Sequence, residues 1–534
     1  MRDRFAEERL PPPERMPAVL LEGLEYPERL NAAVRLLDRR VMAVGAERRC
    51  ILAPGNEVWS YGRLLEFANR VAHVLVDDLA LEPGNRVLLR APNTPMLAAC
   101  WFAVLKAGGV AVTTMPLYRA GELRYMMEKA QVKHALCDLR LRDDLERARE
   151  GYRGVRLAYF GGAAADATSL ERLAAGKPAV FDNVETSAED VALIAFTSGT
   201  TGTPKAAMHY HRDVLAICDT YCARVLQPRG DDVFCGSPPL GFTFGLGGLL
   251  LFPLHAGAAT LLLEKAGPND LLAAIQEFGI TTLFTAPLAY RAMAGALTGR
   301  DISTLRTCVS AGETLTKAVW EEWRAKTGLK ILDGIGSTEM LHIFVGSPQA
   351  EVRGGSTGRA VPGYVAEIHD ESGRSVPDGT VGRLAVRGPT GCKYLQDDRQ
   401  EIYVQNGWNY PGDAYRRDED GYFWYVARVD DMIVSAGYNI SGPEVEQALI
   451  AHADVKEVAV VGKRDAQRET NYVKAFVVLM DGCTGGDAKV EELREFCKTQ
   501  IAPFKAPREI EFVTSLPRTE TGKLQRYKLR ESSP

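Results

Sequence analysis

The sequence predicts an α/β protein: a large N-terminal domain of parallel-rich α/β sheets, a small β subdomain, and a small α+β C-terminal domain. Three observations carry that prediction. From Arg86 to Val309 short apolar runs alternate with helix-length amphipathic segments, the rhythm of strands joined by helical crossovers. From Gly382 to Arg428 the segments shorten and turn residues multiply. After Asp431 helices and strands alternate again in a compact unit of about a hundred residues.

Strands are expected at Arg86–Leu89, Val110–Thr113, His134–Cys137, Val191–Phe196, Thr281–Phe284 and Thr307–Val309, with helices such as Tyr61–Val76 and Met96–Leu105 between them. The most apolar stretch, Gly245–Leu263, is interrupted by Pro253, His255 and Gly257. It therefore reads as a buried helix and strand, not a membrane span. Arg416–Arg417, the turn Asp418 to Gly421 and Tyr422–Val426 read as a hairpin. The last unit reads as helix Pro443–His452, strands Glu457–Val461 and Val473–Leu479, helix Val490–Thr499 and strand Glu509–Val513.

A chain of 534 residues has room for two to four domains with ample core. Sixty-four basic against 69 acidic residues give a net charge of −5, so no broad electropositive surface draws in nucleic acid. The ten cysteines contain no C-x-x-C pair and no histidine at zinc-finger spacing, which points to reduced thiols in a cytoplasmic protein. Met1 to Met16 is charged and proline-rich, unlike a signal peptide, and no membrane attachment is expected. Between Lys498 and Arg530 eight Lys/Arg face three Glu. That strip is a solvated face or a place for an anionic small molecule.

The most informative stretch is TSGTTGTPK, which directly follows the apolar run Val191–Phe196. Gly199 and Gly202 allow close backbone approach, and the hydroxyls of Thr197, Ser198, Thr200 and Thr201, with backbone N–H groups, can donate to phosphate oxygens. Lys205 adds a point charge. The string is no Walker motif, because Gly202 is followed by Thr203-Pro204-Lys205.

Thr197–Lys205 resembles the signature of the adenylate-forming superfamily of acyl-CoA synthetases, luciferases and peptide-synthetase adenylation domains. Four more motifs agree in order: DGIGSTE (Asp333–Glu339), YPGD (Tyr410–Asp413), ARVDD (Ala427–Asp431) and RTETGK (Arg518–Lys523). The resemblance implies a reaction in which a carboxylate attacks the α-phosphorus of ATP and expels pyrophosphate. Such a step is mostly positioning and charge neutralisation. It further implies that Thr197–Lys205 holds the β- and γ-phosphates and that Asp333, Gly334 and Ile335 border the adenine. Thr338 would meet the α-phosphate, and Glu339 would be the Mg²⁺ ligand. Asp413 and Arg428 would take the ribose, and Lys523 would be the lysine of the adenylation step. Asp430 would be a hinge between domains spanning 1–429, with its β-rich part at about 350–429, and 430–534. Rotation about it would turn the strand around Ser435–Tyr438, with Gly437 giving room, toward a pantetheine tunnel. Coenzyme A is the implied co-substrate, and a carrier protein loaded on its phosphopantetheine arm is the alternative acceptor.

The run DGIGSTEMLHIF and the segment MPLYRAGEL (Met115–Leu123) resemble benzoate- and 2-aminobenzoate-CoA ligases more than acetyl- or long-chain acyl-CoA synthetases. Phe242 stands where the family pattern often has histidine, suggesting an aromatic gate with Phe244. The expected acid pocket comprises Phe242, Thr243, Phe244, Ser310, Ala311, Gly312, Gly334, Ile335, Gly336, His342 and Ile343, apolar with few polar anchors, as flat aromatic acids need. His342 is either a substrate contact or a core histidine. The reading is an aryl-CoA ligase, monomer or homodimer, with 2-aminobenzoate first and benzoate or hydroxybenzoate close behind. A non-catalytic nucleotide-binding module is the rival of another class. It has no need for Thr338, Glu339, Asp413, Arg428 and Lys523 together.

Overall fold

The computed structural model describes residues 2–162, 169–197, 204–435, 438–465, 470–501, 503–518 and 524–531. The chain divides into two compact units, one of residues 1–366 with 386–409, the other of residues 367–385 with 410–534.

The first unit is built on two sheets. In the six-stranded sheet the order is Arg156–Phe160, His134–Asp138, Arg86–Arg90, Val110–Thr114, Val191–Thr197 and Lys205–Tyr210. The first five run parallel and the last closes an antiparallel hairpin. In the nine-stranded sheet a parallel centre joins Ile331–Gly336, Thr307–Ser310, Thr282–Thr285, Val233–Gly236, Ala259–Leu261 and Arg49–Ala53. Antiparallel strands complete both edges. Helices cover the sheet faces, so the inner strands are buried on both sides and read as continuous apolar runs in place of an alternating pattern. Arg86 and Arg90 are the exceptions inside such a run, and both are fully buried. Arg86 donates to the carbonyls of Gly84, Ala130 and Gln131 and pairs with Asp3 at 2.7 Å, so the charged N-terminal segment is tied to the sheet.

The stretch read as helix plus strand is that: consecutive helical turns run from Thr243 to Ala256, Gly257 adopts a φ of +72°, and Ala259–Leu261 follows as a strand. Leu249 to Leu254 are completely buried, as expected of core. Among the described residues no helix is long and apolar enough to cross a membrane. All ten cysteines are free thiols and nine are buried.

In the second unit Asp413–Arg417 and Phe423–Arg428 form the expected hairpin. The Asp418 carboxylate accepts from the Tyr422 N–H at 2.8 Å across its turn. Beyond it, Val455–Asp465, Thr470–Leu479 and Glu509–Phe512 make a three-stranded sheet with helices Gly442–Ile450 and Asp487–Gln500. The segment Ser435–Tyr438, expected as one strand, is instead the closing end of a hairpin. Met432–Ser435 and Tyr438–Ser441 pair antiparallel with Ser435 opposite Tyr438; Gly437 lies outside the described residues. The basic strip is largely neutralised within the unit: Lys498 pairs with Glu495, Lys505 with Glu444, Arg518 with Glu457, Arg526 with Glu446 and Arg530 with Asp431.

Candidate active site

Thr197 and Lys205 stand opposite each other at the closing end of the hairpin formed by Val191–Thr197 and Lys205–Tyr210. Residues 198–203, which include Ser198, Gly199, Thr200, Thr201 and Gly202, join them and lie outside the described residues. Lys205 Nζ donates to the Tyr394 hydroxyl at 3.1 Å, and that hydroxyl donates in turn to Glu339 Oε1. Tyr394 is only 1% exposed. An isolated bridge to Ala207 and a hydrogen bond from its N–H to Gln400 Oε1 at 2.9 Å fix its backbone. Burial and the adjacent Glu339 carboxylate hold its hydroxyl protonated, well above the usual phenol range, so it remains a donor.

Glu339 lies in the short 3-10 turn Thr338–Met340 that follows the strand Ile331–Gly336. Ser337 caps this turn, its hydroxyl accepting from the Met340 N–H and sharing a 2.8 Å hydrogen bond with the Tyr403 hydroxyl. His209 Nε2 donates to the Thr338 carbonyl at 2.9 Å, and Thr390 Oγ1 donates to the Met340 carbonyl at 2.8 Å. Burial pushes His209 down to about 4, so it serves as a neutral strut. A turn tied at its cap and at two carbonyls presents Thr338 and Glu339 in one fixed orientation. Mg²⁺ is usually held by one or two carboxylates together with the phosphates of its substrate, and the fixed Glu339 carboxylate fits the protein's share of such a donor set.

The strand ahead of the turn ends in Asp333–Gly336. Gly334, Ile335 and Gly336 pair with Gly346, Val345 and Ile343 of the returning strand. Burial pushes the Asp333 carboxyl well above the usual carboxylate range, and its Oδ1 is buried without a hydrogen-bond partner. Such an acceptor suits an amino donor of a bound base.

His342 is 3% exposed inside an aromatic box. Its ring lies 4.5 Å from that of Phe252, 5.4 Å from Tyr221 and 5.7 Å from Phe244, and Phe244 lies 5.5 Å from Phe284. Gly247 closes one side, for a Cβ there would come within 2.4 Å of His342 Cδ2. Neither ring nitrogen has a partner at hydrogen-bond geometry, nor does the Tyr221 hydroxyl. A weaker interaction with the Phe244 carbonyl offsets little of the burial, which pushes His342 down to about 3. Thr243, Ser310, Ala311 and Ile343 are buried, and Phe242, at the start of its helix, is half-buried. Gly312 is exposed, with a φ of +90°.

In the second unit Asp413 stands opposite Arg428 in the hairpin, and Arg428 Nη1 donates to Asp413 Oδ2 at 3.0 Å and to the Pro411 carbonyl at 2.8 Å. Gly412 has a φ of +85°, a backbone conformation strained for residues with a Cβ, which explains the glycine of the YPGD motif. Asp430 follows in a 3-10 turn, Val429–Asp431. Lys523 lies outside the described residues.

Sequence reasoning missed Tyr394, Tyr403 and His209, which organise Glu339, and Tyr221, Phe252 and Phe284, which complete the aromatic box. A tyrosine in an apolar run carries no sign of which hydroxyl partner it will meet. The motif after Gly336 gave the nearest available signal.

Comparison with known proteins gives the chain's family. The AMP-binding enzyme family matches residues 37–394, and the AMP-binding enzyme C-terminal domain matches residues 444–523. The benzoate–CoA ligase of Thauera aromatica is 34% identical over 96% of this chain and 97% of its own. A 4-hydroxybenzoate–CoA/benzoate–CoA ligase of Rhodopseudomonas palustris is 33% identical over 94% of each. The crystal structure of the anthranilate CoA ligase AuaEII in complex with anthranoyl-AMP superposes with a TM-score of 0.88 at 32% identity, covering 95% of this chain and 98% of that one. The chain therefore belongs to the AMP-binding enzyme family and is an enzyme of the adenylate-forming superfamily.

Proposed function

We propose that the enzyme is an AMP-forming aryl-CoA ligase and that 2-aminobenzoate is its preferred acid, with benzoate and hydroxybenzoates as near alternatives. The observation that carries the reading is the aromatic box, in which Phe244, Phe252 and Tyr221 surround a histidine whose ring nitrogens are unpartnered. Flat rings suit such walls, and an orphaned buried nitrogen favours a ligand that supplies a hydrogen bond. The similarity to benzoate and anthranilate ligases supports the same class.

In the first half-reaction a carboxylate oxygen of the acid attacks the α-phosphorus of ATP, and pyrophosphate leaves with the electron pair of the broken P–O bond. Thr197 to Lys205 would hold the β- and γ-phosphates, Asp413 and Arg428 the ribose, and Asp333 the adenine. Thr338 and Lys523 would meet the reacting phosphate and carboxylate. Glu339 would hold Mg²⁺, which supplies charge neutralisation when bound. In the second half-reaction, after rotation about Asp430, the thiolate of coenzyme A attacks the acyl carbon and AMP leaves.

The test is CoA-dependent AMP release with 2-aminobenzoate, benzoate, 4-hydroxybenzoate and a short fatty acid, run on wild type, Phe244→Ala and His342→Ala. The aromatic acids should give the highest kcat/KM in the wild type. Both variants should lose ~1–3 kcal/mol of discrimination against the fatty acid, with the KM for ATP nearly unchanged. Uniform loss across all acids, with a lowered melting temperature, would return His342 to a purely packing role.

A further inference from the structure

The Tyr394 hydroxyl stands between two groups of opposite charge. It accepts from Lys205 Nζ at 3.1 Å and donates to Glu339 Oε1. Both groups belong to motifs assigned above, one to the phosphates and one to the metal, whereas Tyr394 belongs to neither. Its ring is fixed on several sides. The Lys205 ammonium lies over it at 5.2 Å, the Tyr403 ring packs edge-on at 6.0 Å, and the backbone is held by Ala207 and Gln400. Tyr403 in turn holds the Ser337 cap of the turn that carries Glu339. Two tyrosines thus fix the carboxylate, one at its oxygen and one at the base of its turn.

We propose that Tyr394 is a positioning residue for nucleotide activation: it orients the Glu339 carboxylate for a divalent cation and keeps Lys205 beside it until phosphate arrives. This rests on the reading of Glu339 as the Mg²⁺ ligand. A carboxylate that is 6% exposed and faced by a flexible lysine would otherwise collapse onto the ammonium as a direct ion pair. The hydroxyl keeps the two apart, so an incoming Mg²⁺ nucleotide meets a preset carboxylate. Lys205 can then turn to the phosphates, and the Tyr394–Glu339 hydrogen bond persists as the outer support of the ligand.

The experiment is isothermal titration of ATP into wild type and Tyr394→Phe, with Mg²⁺ and with EDTA, accompanied by melting temperatures. Outer partners of this kind are worth about 10–100-fold in metal affinity. Tyr394→Phe should therefore bind Mg·ATP about tenfold or more weakly than wild type, while its affinity for metal-free ATP stays within about twofold. The Mg²⁺ concentration for half-maximal pyrophosphate release should rise in parallel. Equal losses with and without metal, or no loss in either, would overturn the proposal. Should Tyr394→Phe fail to fold, Tyr403→Phe carries the same test through the Ser337 cap, with the same metal-selective loss expected. Glu339→Gln is run alongside: if it keeps the full Mg²⁺ enhancement of ATP affinity, the assignment of Glu339 fails. If it loses that enhancement while Tyr394→Phe retains it, only the role of Tyr394 is overturned.

Discussion

Lys523→Ala should lower aryl-adenylate formation by about 10²–10³-fold, the usual effect of deleting one preorganised group that stabilises developing charge. Thioester formation from supplied aryl-adenylate should stay close to wild type. The split follows from the chemistry. Negative charge grows on the phosphorus oxygens as the carboxylate adds, and an ammonium at that point acts in the transition state more than in the ground state. Once the adenylate exists, the thiolate attacks carbon and the lysine charge has no comparable task. Pyrophosphate release without CoA measures the first step, and CoA consumption with synthetic adenylate measures the second. Comparable losses in both would remove Lys523 from its assigned role.

Asp430→Pro should cripple one half-reaction and spare the other. Asp430 sits in a 3-10 turn, Val429–Asp431, directly after the strand that carries Arg428. Proline fixes φ near −65° and disfavours the helical region for the residue before it. It therefore removes the dihedral freedom on which alternation between two arrangements depends. A loss of about 10²-fold in one step, with the other within a few fold, is the expected pattern when a reacting group is held out of place. Both half-reactions near wild type would refute the hinge, and equal loss in both with a lowered melting temperature would mark a folding defect.

The sheets were legible because buried parallel strands write themselves as apolar runs. Arg86–Arg90, Val110–Thr114 and His134–Asp138 begin where their runs begin and extend one residue beyond them. Arg86 could be placed in a strand, with Arg90 just beyond the expected run, but nothing in the sequence shows what satisfies either of them, since backbone carbonyls from elsewhere do so. At the site, the order of five motifs singled out the residues of the Thr197–Lys205 hairpin, the Thr338–Glu339 turn and the Asp413–Arg428 pair. The supports of those motifs were not legible. Tyr394, Tyr403 and His209 reach Lys205, Glu339, Ser337 and Thr338 across 55 to 189 residues of sequence. A tyrosine or histidine among apolar neighbours shows burial, and burial alone does not disclose the partner. His342 illustrates the limit from the other side: its burial was readable as core, while its unpartnered nitrogens and ring of aromatics emerge only once the segments carrying Tyr221 and Thr243–Ala256 pack around it.

A single-turnover experiment addresses the central claim most directly. Excess enzyme is mixed with Mg·ATP and 2-aminobenzoate without CoA, quenched and analysed by mass spectrometry, and the same mixture is then chased with CoA. The account predicts near-stoichiometric 2-aminobenzoyl-adenylate and pyrophosphate before the chase, and 2-aminobenzoyl-CoA with AMP after it. Absence of any aryl-adenylate with 2-aminobenzoate, benzoate or 4-hydroxybenzoate, or an adenylate that CoA leaves unchanged, would contradict it.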